Sequence, residues 1–213
     1  MNECTEERFF EDTANHTMKI IRDDDVCRHI SFKNGGSSIY GFDLITWAGY
    51  LLITGDCGTY VFRRIHDMFE FFATDEKYKK AHPETKLFIN PRYWGEKLES
   101  ICRTGGYREY NEEAFIERIT EHFNSYWEDA ECTEGKDELW AKIKDDVLWA
   151  SDYEHEAYQA VNEFSYEDFE FADFFDGGGT DRYTFHYLWC LFAITHGVEQ
   201  YHNFKALPGE EAA

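Results

Sequence analysis

The chain has 213 residues, with 21 Lys and Arg against 43 Asp and Glu, a formal charge of −22. That balance argues against direct binding to nucleic-acid phosphates or to anionic lipid surfaces. The 19 Phe, 14 Tyr and 6 Trp make 18% of the chain, more buriable surface than a disordered acidic protein carries.

Residues 1–12 read as a short acidic leader without the basic start and apolar core of a secretory signal. The longest uninterrupted apolar run, Tyr187 to Ile194, is far short of the ~20 residues that cross a bilayer. A soluble cytoplasmic protein with no membrane partner is expected. Strands are predicted near Thr17 to Arg22, Cys27 to Lys33, Tyr40 to Trp47, Tyr50 to Thr54 and Thr59 to Arg64, where β-branched and aromatic residues cluster. Asp23-Asp24-Asp25, Asn34-Gly35-Gly36, Ala48-Gly49 and Gly55-Asp56-Cys57-Gly58 break them with turn chemistry. Such short breaks favour an antiparallel meander over parallel strands, which need long crossovers.

From Ile65 the period changes. Met68, Phe71 and Phe72 predict a short helix ending before Pro83, and Asn90-Pro91 offers an N-cap with proline at the first helical position. Trp94, Leu98 and Ile101 continue at helical spacing up to Gly105-Gly106. Phe115, Ile116, Ile119, Phe123, Tyr126 and Trp127 form one stripe of a long amphipathic helix, with Glu113, Glu117 and Glu121 opposite. Leu139, Trp140, Ile143, Val147 and Leu148 repeat the pattern. Ser151 with Glu154 reads as a capping box, and Ser165 with Asp168 as a second. The last helix, about Thr184 to Phe204, is apolar almost all round and so expected at the centre of a helical layer. The fold class is α+β: an antiparallel β-meander in the N-terminal half packed against a mainly helical C-terminal half. It is read as a single domain over 1–213, β-rich over 17–64 and helical over 65–204, with a tail at 205–213. Trp47, Trp94, Trp127 and Trp189 are expected to be buried.

The run Phe42-Asp43-Leu44-Ile45-Thr46-Trp47-Ala48-Gly49-Tyr50, continued by Gly55-Asp56-Cys57-Gly58-Thr59-Tyr60-Val61-Phe62 and Asp67-Met68-Phe69-Glu70-Phe71-Phe72, resembles a family of uncharacterised proteins encoded by bacteriophages and prophages. Further family-like pieces are Asp12-Thr13 with His16, Arg28-His29, Tyr93-Trp94-Gly95-Glu96-Lys97-Leu98 and Thr184-Phe185-His186-Tyr187-Leu188-Trp189-Cys190. They span most of the chain, as in a full-length member. The resemblance implies a virus-related protein of the host cytoplasm and brings no reaction and no catalytic residues.

Several constellations admit a chemical reading beside a plainer one. Asp23-Asp24-Asp25 with His29, joined by His16 or Asp43, has the donor types of a divalent-cation hydrolase, but three acids between strands read first as a solvated turn. Cys57 in its glycine turn, with His66 or His29 as base, has the parts of a nucleophile; an incidental cysteine is the simpler reading. Gly177-Gly178-Gly179-Thr180 has acids before it and no lysine behind it, and reads as a hinge rather than a phosphate cradle. Glu154-His155-Glu156, His196 and His202 lack metal-ligand spacing, and His186 reads as a hydrogen-bonded core histidine. Cys4, Cys27, Cys57, Cys102, Cys132 and Cys190 form no C-x-x-C pair and read as reduced, mostly buried thiols. No catalytic residue, metal or cofactor is assigned.

The acids are unevenly placed. Residues 1–106 hold 17 acids and 14 bases, residues 107–213 hold 26 and 7, and Asp145 to Asp181 contains twelve acids without a Lys or Arg. If largely helical at ~1.5 Å per residue, that window carries about one charge per 4 to 5 Å, near the ~3.4 Å spacing of one phosphate strand. Asp145, Asp146, Asp152, Glu154, Glu156, Glu163, Glu167, Asp168, Glu170, Asp173 and Asp176 are therefore the candidate partner-binding residues. The partner expected is a basic protein, engaged by a nucleic-acid mimic that inhibits a host nucleic-acid-handling or defence complex. Phe164, Tyr166, Phe169, Phe171, Phe174 and Phe175, lying in the same negative region, read as core or protein interface rather than base-stacking platforms. The alternatives are the metal-dependent hydrolase and a virion or assembly protein.

Overall fold

The computed structural model describes residues 4–103, 105–128 and 134–207. The chain divides into two compact units, Met1–Tyr107 with Tyr183–Ala213, and Arg108–Arg182. The protein is α+β, with an N-terminal antiparallel sheet and a mainly helical C-terminal half.

The first unit opens with a helix inside the stretch read as a leader: α1, Glu6–Thr13, is capped by Thr5 and buries Phe9 completely. Six strands follow as a meander in sequence order, each antiparallel to the next. They are β1 (Thr17–Asp24), β2 (Cys27–Lys33), β3 (Phe42–Trp47), β4 (Tyr50–Gly55), β5 (Gly58–Arg63) and, after three short helices, β6 (Leu98–Ile101). Alternation places Ile30, Leu44, Ile53 and Tyr60 in one buried row, in register Ile30↔Leu44, Leu44↔Ile53 and Ile53↔Tyr60. The intervening helices are α2 (Met68–Phe72), capped by Asp67, α3 (Glu76–Ala81), capped by Asp75, and α4 (Pro91–Gly95), capped by Asn90.

The expected continuation of α4 through Leu98 and Ile101 is corrected. The helix stops at Gly95, and Leu98–Ile101 pairs with β5 through Tyr60↔Ile101 and Phe62↔Leu98. Over so few residues a helical and an extended spacing share the same apolar positions, and the open edge of β5 supplies a partner that the local period does not reveal. Trp47 is also corrected: it ends β3 beside a hairpin turn, stacks on Tyr50 and is 37% exposed.

In the second unit β7 (Arg108–Tyr110) leads into α5 (Glu112–Glu128) and α6 (Lys136–Asp146). A 3-10 turn (Leu148–Ala150) precedes α7 (Glu154–Glu163), and a hairpin of β8 (Ser165–Tyr166) with β9 (Phe169–Glu170) follows. Strand β10 (Asp181–Tyr183) returns to pair with β7. The apolar stripe of α5 buries Phe115, Ile119 and Phe123 against Leu139, Ile143, Val147, Val161 and a phenylalanine cluster of Phe164, Phe169, Phe171 and Phe174. Trp127 is only partly buried.

Neither predicted capping box forms. The N-cap of α7 is Tyr153, without a side-chain bond, while Ser151 Oγ donates to Glu112 Oε1 at 2.9 Å. Ser165 and Asp168 lie in the β8–β9 hairpin, whose two-residue turn puts Glu167 at φ 51°. A Ser-x-x-acid spacing marks a cap only where a helical apolar run follows, and here the period is two.

The chain re-enters the first unit as α8 (Phe185–Ala206), capped by Thr184. It buries eleven residues from Tyr187 to Tyr201, as its all-round apolarity predicts. A Cβ on Gly197 lies 2.4 Å from Leu44 Cδ1, so glycine there permits the close approach of α8 to β3.

Candidate functional site

The surface of the second unit is set by its core. With phenylalanines and aliphatic residues taking the interior, the acids of the same segments are left outside. The unit, Arg108–Arg182, holds 23 acids and 6 bases, a net −17 of the total −22.

All eleven candidate partner-binding residues, Asp145, Asp146, Asp152, Glu154, Glu156, Glu163, Glu167, Asp168, Glu170, Asp173 and Asp176, are exposed. Of the twelve acids in the window, two are in ion pairs with described residues: Asp146 with Lys142 at 3.5 Å and Asp181 with Arg108 at 3.0 Å. Glu163 accepts a hydrogen bond from Gln159 Nε2 at 2.8 Å. Two further arginines of the unit are spent elsewhere: Arg182 pairs with Glu117, and Arg118 lies near Glu121 and donates to the Phe174 and Asp176 carbonyls. Outside the unit, Arg63 and Lys79 pair with Glu99 and Glu199.

The assumed linear array is corrected. Helix covers only the end of α6, the 3-10 turn and α7, and of the acids Glu154, Glu156 and Glu163 alone lie on α7. Glu167, Asp168, Glu170, Asp173 and Asp176 sit on the hairpin and the loop after it. The spacing of one charge per 4 to 5 Å therefore does not hold, because the phenylalanine cluster requires tight turns where a continuous helix was supposed.

Along α7, Glu156, Gln159, Ala160 and Glu163 fall at i, i+3, i+4 and i+7, one helical face. That face lines an open groove of about 400 Å³, completed by Asp146, Trp149, Ala150, Phe164 and Ser165. Trp149 is 68% exposed, and its Nε1 donates to the Asp146 carbonyl at 3.2 Å. Sequence reading passed over this tryptophan; its only signal is that it falls outside the apolar stripe of α6.

The other constellations come apart. Asp23 accepts from Tyr201 Oη and Lys205 Nζ, Asp24 pairs with Arg22, and Asp25 forms the turn at φ 53°. His29 bonds Asp43 at 3.0 Å, and Lys33 approaches the same carboxylate. Among the described residues no group of three or more His, Cys, Asp or Glu converges as metal donors. Cys57 is buried, and burial with the nearby Asp56 pushes its thiol up to about 12, which removes the thiolate a nucleophile needs. The five described cysteines are free, with Cys4, Cys57 and Cys190 buried; Cys132 lies outside the described residues. Gly177, Gly178 and Gly179 all have positive φ, a turn that only glycines accept readily. His186 is exposed rather than a core residue, because it falls on the opening turn of α8. The histidine that does pack into the core is His196, partly buried among Phe9, Phe10 and Phe32. Burial pulls its imidazole down to about 4.

No protein-family model, no curated protein and no solved structure matches this chain. No described helix is long and apolar enough to cross a membrane.

Proposed function

We propose that the second unit is a non-enzymatic docking module for a basic protein. The observation that carries this reading is the exposure of all eleven candidate acids, ten of which make no ion pair among the described residues. Carboxylates left without local counterions raise the negative potential of a surface, speeding encounter with a basic patch and giving an affinity that falls with salt. In the phage setting that the family resemblance implies, the partner is a basic nucleic-acid-handling or defence protein of the host. The surface competes with nucleic acid through charge distributed over a helix, a hairpin and a loop.

Affinity capture from host extract with wild type and with the triple reversal Glu163→Lys, Glu167→Lys and Glu170→Lys tests this. All three positions are exposed, so folding is expected to survive at ~0.5 kcal/mol each. The expected result is a basic partner held at low salt, released at high salt and lost by the reversal. An acidic partner, or one held equally by the reversal, overturns the reading.

A further inference from the structure

The groove between the 3-10 turn and α7 has a composition that chooses among cations. Its aromatic wall, Trp149, is the most exposed large apolar side chain among the described residues. Burying an indole is strongly favourable, so one left in water is a conspicuous unmet opportunity for contact. Its single donor is already satisfied by the Asp146 carbonyl, which orients the ring and leaves its faces for an apolar or cationic partner. Around it stand Asp146, Glu156 and Glu163, with no Lys or Arg lining the groove. Ala150 and Ala160 keep the space beside the ring open.

We propose that this groove receives an arginine side chain from a basic segment of the partner. The inference rests on the docking reading above and gives that surface its specificity. A guanidinium is planar and weakly hydrated: it stacks on an indole and simultaneously directs its donors in its own plane to carboxylates. An ammonium is a compact, strongly hydrated charge and gains less from the ring. The acids at large supply attraction to any cation, and Trp149 supplies the discrimination.

Fluorescein-labelled hexa-arginine and hexa-lysine, equal in charge, are titrated against the whole protein at low ionic strength by fluorescence anisotropy. Wild type is expected to bind hexa-arginine at least fivefold more tightly than hexa-lysine. Trp149→Ala leaves the charge unchanged and is expected to lose about five- to tenfold for hexa-arginine while holding hexa-lysine within about twofold. Trp149→Phe, which keeps an aromatic face, retains most of the preference. Ala160→Met, which fills the groove without altering charge, reproduces the loss independently. If Trp149→Ala and Ala160→Met both bind hexa-arginine as wild type does, the groove is not the seat. The docking reading then stands if the triple reversal still loses both peptides. It falls as well if the triple reversal binds them normally, or if wild type binds neither.

Discussion

Arg28 on β2 and Asp67 at the start of α2, 39 residues apart, form a two-armed ion pair inside the first unit, Nη1 to Oδ1 at 2.7 Å and Nη2 to Oδ2 at 2.8 Å. The guanidinium is also stacked near Phe69 and Tyr201, and Asp67 Oδ1 accepts the Phe69 N–H that caps α2. Burial pushes the Asp67 carboxyl up, but the hydrogen bonds from Arg28 and from Phe69 outweigh it and hold the group below its ordinary value. One carboxylate thus ties a strand to a helix start and neutralises a buried cation.

Asp67→Asn is expected to destabilise the protein by about 3–5 kcal/mol, because it leaves Arg28 buried without a counter-charge. Arg28→Met combined with Asp67→Ser, which keeps a capping oxygen, is expected to recover most of that loss. Urea denaturation of the variants checks both; equal stability of Asp67→Asn and wild type would show that the pair contributes nothing.

Gly197→Ala is expected to cost about 1–3 kcal/mol by forcing Leu44 away from its place under α8. In a Leu44→Ala background the same change should cost markedly less, since the clashing Cδ1 is gone. A double-mutant cycle of denaturation midpoints measures the coupling.

The first unit should lose stability in mild acid. The His196 imidazole is pulled from 6.5 to about 4 by burial and by nearby His16, so its contribution is complete above pH 6.5. It is lost as pH falls toward 4, because the unfolded chain takes up a proton that the folded one resists. The span corresponds to no more than about 3 kcal/mol. His196→Phe, placed among the rings of Phe9, Phe10 and Phe32, should flatten thermal melting between these pH values. The lowered carboxyls of Asp23, Asp43 and Asp67 act with the same sign further down, below the ordinary carboxylate range.

Burial pushes the Cys4 and Cys57 thiols up to about 12 and raises Cys190 too. In the native protein at pH 8 these three should alkylate far more slowly than the partly exposed Cys27 and Cys102. Peptide mapping after timed iodoacetamide treatment reads the order, and rapid labelling of native Cys57 would restore it as a nucleophile.

What the sequence determined by itself is what acts over short range. The β1–β5 meander follows from alternation and turn residues: the β4–β5 register runs to Gly55↔Gly58 across the Asp56-Cys57 turn, with Gly58 at φ 101°. The α5 stripe, the centrality of α8 and the excess of acid over base in the second half are equally local properties, legible from spacing and counting. Tertiary structure decided the rest, since it depends on which distant group is available. Leu98–Ile101 became a strand because β5 had a free edge, and Phe9 turned a presumed leader into a packed helix. Arg28 found its counter-charge on another element. The phenylalanine cluster broke the acidic window into helix, hairpin and loop, and the same folding stood Trp149 beside one face of α7 to make a groove. Local periodicity fixes which face of a segment is apolar; only closure of the chain fixes what that face, and the polar one behind it, will meet.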